Sequence, residues 1–302
     1  MAAAPSRRGG VPAVLAAATF WSFGSVLGKS THASGVVLSF WRLWIASFVM
    51  LVIVAVTKRW PSALDFKRAA LAGVLFGLNI CAFFISLQTV TIATALIIAA
   101  LAPVVALPVS VLLFGERLTL LKSLCAAGSV IGVVVAVLVA PSSGAGANST
   151  RAGYVWAVLA LVFWVGYLLV SKGVRAKVET VRFMFVVSFI GAITLSVLVV
   201  AGGKHLGEIH GAGWAWVTML AIGPGIAGHG LVAWAQPRVD ASVTTVLIQL
   251  EPVGASAAAW VVLSERISFA QAIAMAGVIA ALCVLAYSES RAGVVEIVDA
   301  VS

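Results

Sequence analysis

The sequence predicts an all-α membrane protein of ten transmembrane helices, built as two inverted five-helix repeats with both termini on the cytoplasmic side. Three observations carry that expectation. The 302 residues are 62% hydrophobic and 10% charged, with a mean hydropathy of +1.14, and apolar runs of about 20 residues, enough to cross roughly 30 Å of hydrocarbon, recur along nearly the whole chain. The stretch 94–128 returns at 243–277. Slid by 149 positions without a gap, Leu101, Pro103, Val104, Ala106, Glu116, Arg117, Ala127 and Gly128 fall on Leu250, Pro252, Val253, Ala255, Glu265, Arg266, Ala276 and Gly277, which marks an internal duplication. Finally, the basic residues fall unequally on alternate loops.

In order, the candidate spans are about 11–29, 36–56, 69–88, 92–114, 120–140, 153–171, 182–201, 213–235, 241–263 and 268–287. Barrel strands would alternate apolar and polar residues over about ten positions, whereas these runs are apolar on all faces, so helices are the spanning element. The first run follows Arg7 and Arg8 and resembles a signal peptide, but no clear cleavage site follows and nine further spans favour a signal-anchor helix. The duplication divides the chain into a first repeat at 11–140, a small, polar, periplasmic or extracellular linker at 141–152, a second repeat at 153–287 and a cytoplasmic tail at 288–302.

With the N-terminus inside, the inner segments hold Arg7, Arg8, Lys58, Arg59, Lys67, Arg68, Arg117, Lys122, Lys172, Arg175, Lys177, Arg182, Arg238 and Arg291, and the outer segments only Lys29, Arg151, Lys204 and Arg266. This positive-inside bias accounts for the net charge of +9 without a nucleic-acid partner. Because five spans is an odd number, the second repeat enters the membrane from the opposite face, an arrangement associated with secondary transporters. The earlier part of the repeat is fainter: Phe20, Trp21 and Lys29 match Phe163, Trp164 and Lys172 at an offset of 143. Small residues such as Gly24, Gly73, Gly77, Gly128 and Gly132 should let helices approach closely in lipid. Ser268 and Gln271 fit a capping box, and the simplest reading of Glu116 and Glu265 is local capping at their corners.

Several patterns are set aside. Gly223 to Gly228 matches G-x-G-x-x-G but lies inside an apolar span, not after a strand. There, Pro224 removes a helix hydrogen bond and should kink or partly unwind the eighth span as a hinge. Cys81, Cys125 and Cys283 fall inside apolar runs and read as small buried hydrophobes. His205, Glu208 and His210 read as a solvated loop, not a metal site. No catalytic constellation is present, and no metal or cofactor is expected.

What remains is a set of polar and aromatic residues near the span midpoints. Trp21, Asn79, Trp164 and Glu251 lie at similar depth, with Gln249 and His229 slightly to the inner side and Arg42 slightly to the outer. A charge near the bilayer centre costs at least about 2.5–3.5 kcal/mol, so Glu251 and Arg42 should face the bundle interior or water, or be neutralised. Glu251 is the leading candidate for substrate binding or proton coupling, against the alternative of a carboxyl packed on a neighbouring helix. It replaces Ala102 of the first repeat. Arg42 offers an anion contact, a structural ion pair or a charge that snorkels outward, and His229 a group that titrates near neutral pH or one that only packs. Trp21 and Trp164 are facing walls or plain helix packing.

Two five-span copies, each with the P-x₁₂-E-R pattern (Pro103 to Arg117, Pro252 to Arg266), resemble the EamA-type transporters of the drug/metabolite transporter superfamily. Leu250-Glu251-Pro252-Val253, Ser264-Glu265-Arg266 and Phe20-Trp21-Ser22 with Lys29 carry the likeness over about residues 11–287. The resemblance implies a ten-helix fold around a central cavity to which Trp21, Asn79, Trp164, His229 and Glu251 would correspond. It also implies transport of small metabolites by alternating access, commonly export of amino acids or related compounds. The expected partners are therefore a small-molecule substrate, membrane lipid and, as candidate coupling ion, protons; no oligomeric state is assigned. A membrane enzyme acting on lipid-linked substrates and a non-transporting sensor or assembly protein are the competing classes.

Overall fold

The structure, a computed structural model, describes residues 9–90, 92–139, 150–263 and 267–301. Arg7, Arg8, most of the linker and the corner at Ser264, Glu265 and Arg266 lie outside the described residues. The described part is helical: α1 (Gly10–Ser22), α2 (Gly24–Lys29), α3 (Gly35–Thr57), α4 (Ala63–Thr89), α5 (Ile92–Ala99), α6 (Ala102–Phe114), α7 (Leu120–Leu138), α8 (Arg151–Arg175), α9 (Thr180–Ala201), α10 (Gly213–Leu220), α11 (His229–Ala235), α12 (Ala241–Leu247), α13 (Leu250–Leu263) and α14 (Phe269–Val301). A 3-10 turn at Leu206–Glu208 precedes α10, and a π-helical segment at Ala221–Gly228 joins α10 to α11.

Eight helical stretches among the described residues are long and apolar enough to cross a membrane: Gly35–Thr57, Ala63–Thr89, Ala95–Phe114, Leu120–Leu138, Arg151–Arg175, Thr180–Ala201, Gly213–Ala235 and Phe269–Ser288. The other two expected spans are each divided. The first is α1 plus α2, parted at Phe23, and the ninth is α12 plus α13, parted at Ile248 and Gln249. The tail is helical too, since α14 continues to Val301.

Side-chain caps set the helix starts. The Ser62 hydroxyl accepts from Asp65 N while the Asp65 carboxylate accepts from Ser62 N, a complete capping box at α4. Thr119, Thr150 and Glu179 accept from Lys122 N, Gly153 N and Val181 N at the starts of α7, α8 and α9. Only half of the box expected at α14 forms: Ser268 accepts from Gln271 N, but Gln271 Oε1 has no partner.

Connections gather at two ends. At the first end, Gly10 packs on Arg238 and Val239 and Arg59 pairs with Glu179 at 2.8 Å. At the second, Thr150 N donates to Thr89 O, Ser34 N to the Glu208 carboxylate and the Ser268 hydroxyl to Val139 O. Thus α1 leaves from the first end and α8 from the second, so the repeats run in opposite directions. Equivalent helices pack on each other, α3 on α9 and α7 on α14, and α4 lies against α8 and α9. Gly73 and Gly77 admit Ile190 and Gly191 of α9, and Gly132 admits Val278 of α14, whereas Gly24 and Gly128 make only ordinary contacts.

Phe76, Tyr167, Phe183, Leu195 and Leu247 are fully buried, while Leu112 (82% exposed), Val200 (80%) and Phe269 (84%) point outward. Apolar surface on this scale suits lipid, not water. The protein is an integral multi-pass membrane protein. Cys81 and Cys125 are buried as expected, but Cys283 is exposed: it lies on the outward side of α14, whose inner side is taken by α7.

Candidate functional site

Prolines shape the centre of the molecule. Pro103 and Pro252 have no N–H to offer the preceding turn, and both spans tighten just before them. Leu101 N bonds to Ile98 O and Val104 N to Leu101 O; in the second repeat Gln249 N bonds to Val246 O and Glu251 N to Ile248 O. These i to i−3 bonds leave the Ala100 carbonyl without a helical partner. Gln249 Nε2 supplies one across the molecule at 2.9 Å.

The eighth span is distorted differently. Around Pro224 it widens into the π segment and continues as α11, so the expected kink is a π turn and not an unwound break. Trp21 Nε1 donates to Pro224 O at 2.9 Å. Glycine at 228 permits this, because a Cβ there would collide with the Trp21 ring. A second close approach joins α1 to α13: the Ser22 hydroxyl lies 3.3 Å from Glu251 O, and any Cβ at Gly254 would meet it. Trp21 and Glu251 are thereby held at one level.

Between these broken and widened helices lies a cavity of about 120 Å³, enough for several water molecules at roughly 10–15 Å³ each. Trp21, Arg42, Asn79, Trp164, Pro224, His229, Gln249 and Glu251 all line it. The structure therefore brings these eight residues, each expected from the sequence near mid-span, around one cavity. Arg42 is 4% exposed, its Nε has no hydrogen-bond partner, and its guanidinium lies 5.4 Å from the Phe84 ring. Arg42 and Glu251 are within electrostatic reach of each other, yet no ion pair joins them among the described residues. Asn79 Nδ2 donates to Ala160 O at 2.9 Å.

His229 is enclosed by rings. Its centroid lies 4.7 Å from Trp21, 4.7 Å from Phe76, 5.8 Å from Trp164 and 6.3 Å from Tyr167, and its Nδ1 has no hydrogen-bond partner. Trp21 and Trp164, equivalent positions of the two repeats, meet edge to face at 5.3 Å. Sequence reasoning missed Phe76, Phe84 and Tyr167. Tyr167 follows Trp164 by three positions, on the same helix face, and was recoverable. Phe76 and Phe84 carry no local signal that sets them apart from other apolar residues of α4.

A second cluster lies at the first end. Glu116 accepts from Lys172 Nζ (2.8 Å), Ala241 N (2.8 Å), Ser242 N (3.1 Å) and Ser242 Oγ (2.6 Å). Lys122 Nζ donates to Asp240 at 2.7 Å, and Lys172 Nζ lies 3.9 Å from Asp240. This corrects the reading of Glu116 as a local cap: it caps α12, in the other repeat. Burial alone pushes the Glu116 pKa up, but the hydrogen bonds from Lys172, Ser242 and Ala241 and the charge of Lys172 outweigh it and bring the carboxyl down to about 2. Glu208, placed by the sequence in a solvated loop, accepts from Ser34 N at 2.6 Å.

Residues 8–138 and 151–287 each match the model of the EamA-like transporter family. No curated protein matches the chain. Among solved structures 29 chains match, including a crystal structure with a TM-score of 0.76 and 23% identity over 93% of this chain and 98% of that one. At that identity the likeness speaks for the fold alone.

Proposed function

The chain belongs to the EamA-like transporter family, and from that premise we propose that it exports amino acids or related small metabolites by alternating access, as a ten-span secondary transporter of the inner or plasma membrane. Membership of a transporter family supports transport over catalysis. The basic loops at the first end support a cytoplasmic placement of that end and of both termini.

One observation supports the substrate reading: Arg42 and Glu251 line one cavity between the repeats, Arg42 Nε has no hydrogen-bond partner, and no ion pair joins the two among the described residues. Two opposite charges kept near mid-membrane without neutralising each other are costly, and a zwitterion would satisfy both, its carboxylate at Arg42 and its ammonium at Glu251. Glu251 is also the proposed proton or cation site. Asn79, Gln249 and His229 add polar contacts, Trp21 and Trp164 form the walls, and Pro224 is the hinge.

The test is metabolite flux. Cells expressing wild type or Glu251→Gln at matched membrane levels are loaded with amino-acid and dipeptide mixtures, and the medium is quantified by mass spectrometry. Release of a compound by wild type and not by the variant supports the reading. Equal release from both removes Glu251 from the mechanism.

A further inference from the structure

We propose that Glu116 and Lys172 are positioning residues of the transport cycle: together they latch the two repeats shut at the first end, beneath the cavity. The inference rests on the alternating-access reading. Glu116 belongs to the first repeat, and each hydrogen bond found at its carboxylate comes from the second, from Lys172, Ala241 and Ser242. The cluster extends the crossing: Lys122 of the first repeat pairs with Asp240 of the second, which in turn lies near Lys172.

Its placement explains the design. Asp240 is the N-cap residue of α12 but makes no side-chain cap; its carboxylate faces Lys122 and Lys172. Glu116 takes over the cap from the other repeat, so the first half of the divided ninth span is held by a residue that is not its own. That half-helix leads directly to Gln249 and Glu251. Any movement that opens the cavity toward this end must part the α6 corner from the start of α12, and all four bonds to Glu116 break together. The Glu116 side chain is 4% exposed and that of Lys172 18%, so the closed contact is screened from water. A buried, fully hydrogen-bonded pair of this kind is poor evidence for stability against an apolar alternative and is better suited to defining one arrangement. Because the carboxyl is held near 2, it stays ionised at physiological pH, and movement rather than protonation releases the latch.

The experiment uses the full-length chain in membranes, with Cys81, Cys125 and Cys283 replaced and a reporter Ala102→Cys on the cavity wall. A membrane-impermeant maleimide is added from the first-end side. Glu116→Gln and Lys172→Gln should each raise the labelling rate about tenfold or more, because each removes a charge-assisted hydrogen bond, while Lys172→Arg keeps the parent rate. Parent rates in both neutral variants, at normal membrane levels, overturn the latch. Should those variants fail to insert, Glu116→Cys/Ser242→Cys, oxidised to a disulfide by copper phenanthroline before the maleimide is added, decides instead, with the same protein reduced by dithiothreitol as the control that the reporter thiol is still reactive. Labelling of the reporter from that end should then cease at any reagent concentration, and continued labelling overturns the proposal. None of these readouts needs a known substrate, so a failed latch leaves the flux experiment standing and a failed flux experiment leaves the labelling result interpretable.

Discussion

Gln249 donates from Nε2 to the carbonyl of Ala100 at 2.9 Å, and the two residues occupy the same position in the two repeats, 149 apart. The duplication thus hydrogen-bonds to itself at its centre. The reason is chemical: the proline that both copies retain tightens the preceding turn and frees a carbonyl, and a residue that diverged in one copy satisfies the carbonyl exposed in the other.

Replacing Gln249 by Leu should therefore leave Ala100 O buried without a partner, at a cost of about 1–3 kcal/mol. Thermal unfolding of purified protein in detergent checks this. Adding Pro103→Ala should recover part of the loss, because an N–H at position 103 lets the turn before it relax. If Gln249→Leu leaves the midpoint unchanged, the bond has no energetic role.

Trp21 and Gly228 should show strong coupling. A methyl group at 228 would collide with the indole that donates to Pro224 O, so Gly228→Ala should destabilise by about 1–3 kcal/mol. Trp21→Leu removes both the clash and the hydrogen bond, and the double variant should be less damaged than the sum of the singles. A double-mutant cycle on unfolding midpoints tests this; strict additivity would place Trp21 elsewhere.

These two contacts mark where sequence reading stops. The repeat, the inversion and eight of the residues around the cavity were legible because hydropathy, the 149-residue offset and mid-span polarity are linear signals, whereas Phe84 of the same lining was not. The division of the ninth span was implicit in Pro252, while the break at Phe23 has no comparable residue to announce it. Glu116 looked local because its partners Lys172 and Ser242 lie far along the chain, in the other repeat. No periodicity within one span encodes a contact of that kind.

Acid should weaken the protein partly through Glu116. Its folded pKa of about 2 lies below the ordinary 4.5, so its contribution is fully present above about 4.5 and is lost as pH falls toward 2. Glu116→Gln should be less stable than wild type at neutral pH and should lose less further stability across that window. Unfolding midpoints of both proteins at a series of pH values supply the comparison. Parallel curves would mean that the carboxylate titrates alike in the folded and unfolded chains.

Arg42 offers the sharpest test of substrate charge. With its Nε unpartnered on the cavity wall, it should contribute a charge-assisted contact of about 1.5–3 kcal/mol to a carboxylate, which corresponds to roughly ten- to more than a hundredfold in affinity. Arg42→Gln should raise the KM for a zwitterionic cargo by about that factor, and should discriminate less between the cargo and its decarboxylated amine. Arg42→Lys keeps the charge but loses the planar fork and should fall between. The measurement is concentration-dependent flux of each compound into proteoliposomes. An unchanged preference for the zwitterion in Arg42→Gln would assign the guanidinium to packing over Phe84 and leave Glu251 as the only charge that reads the substrate.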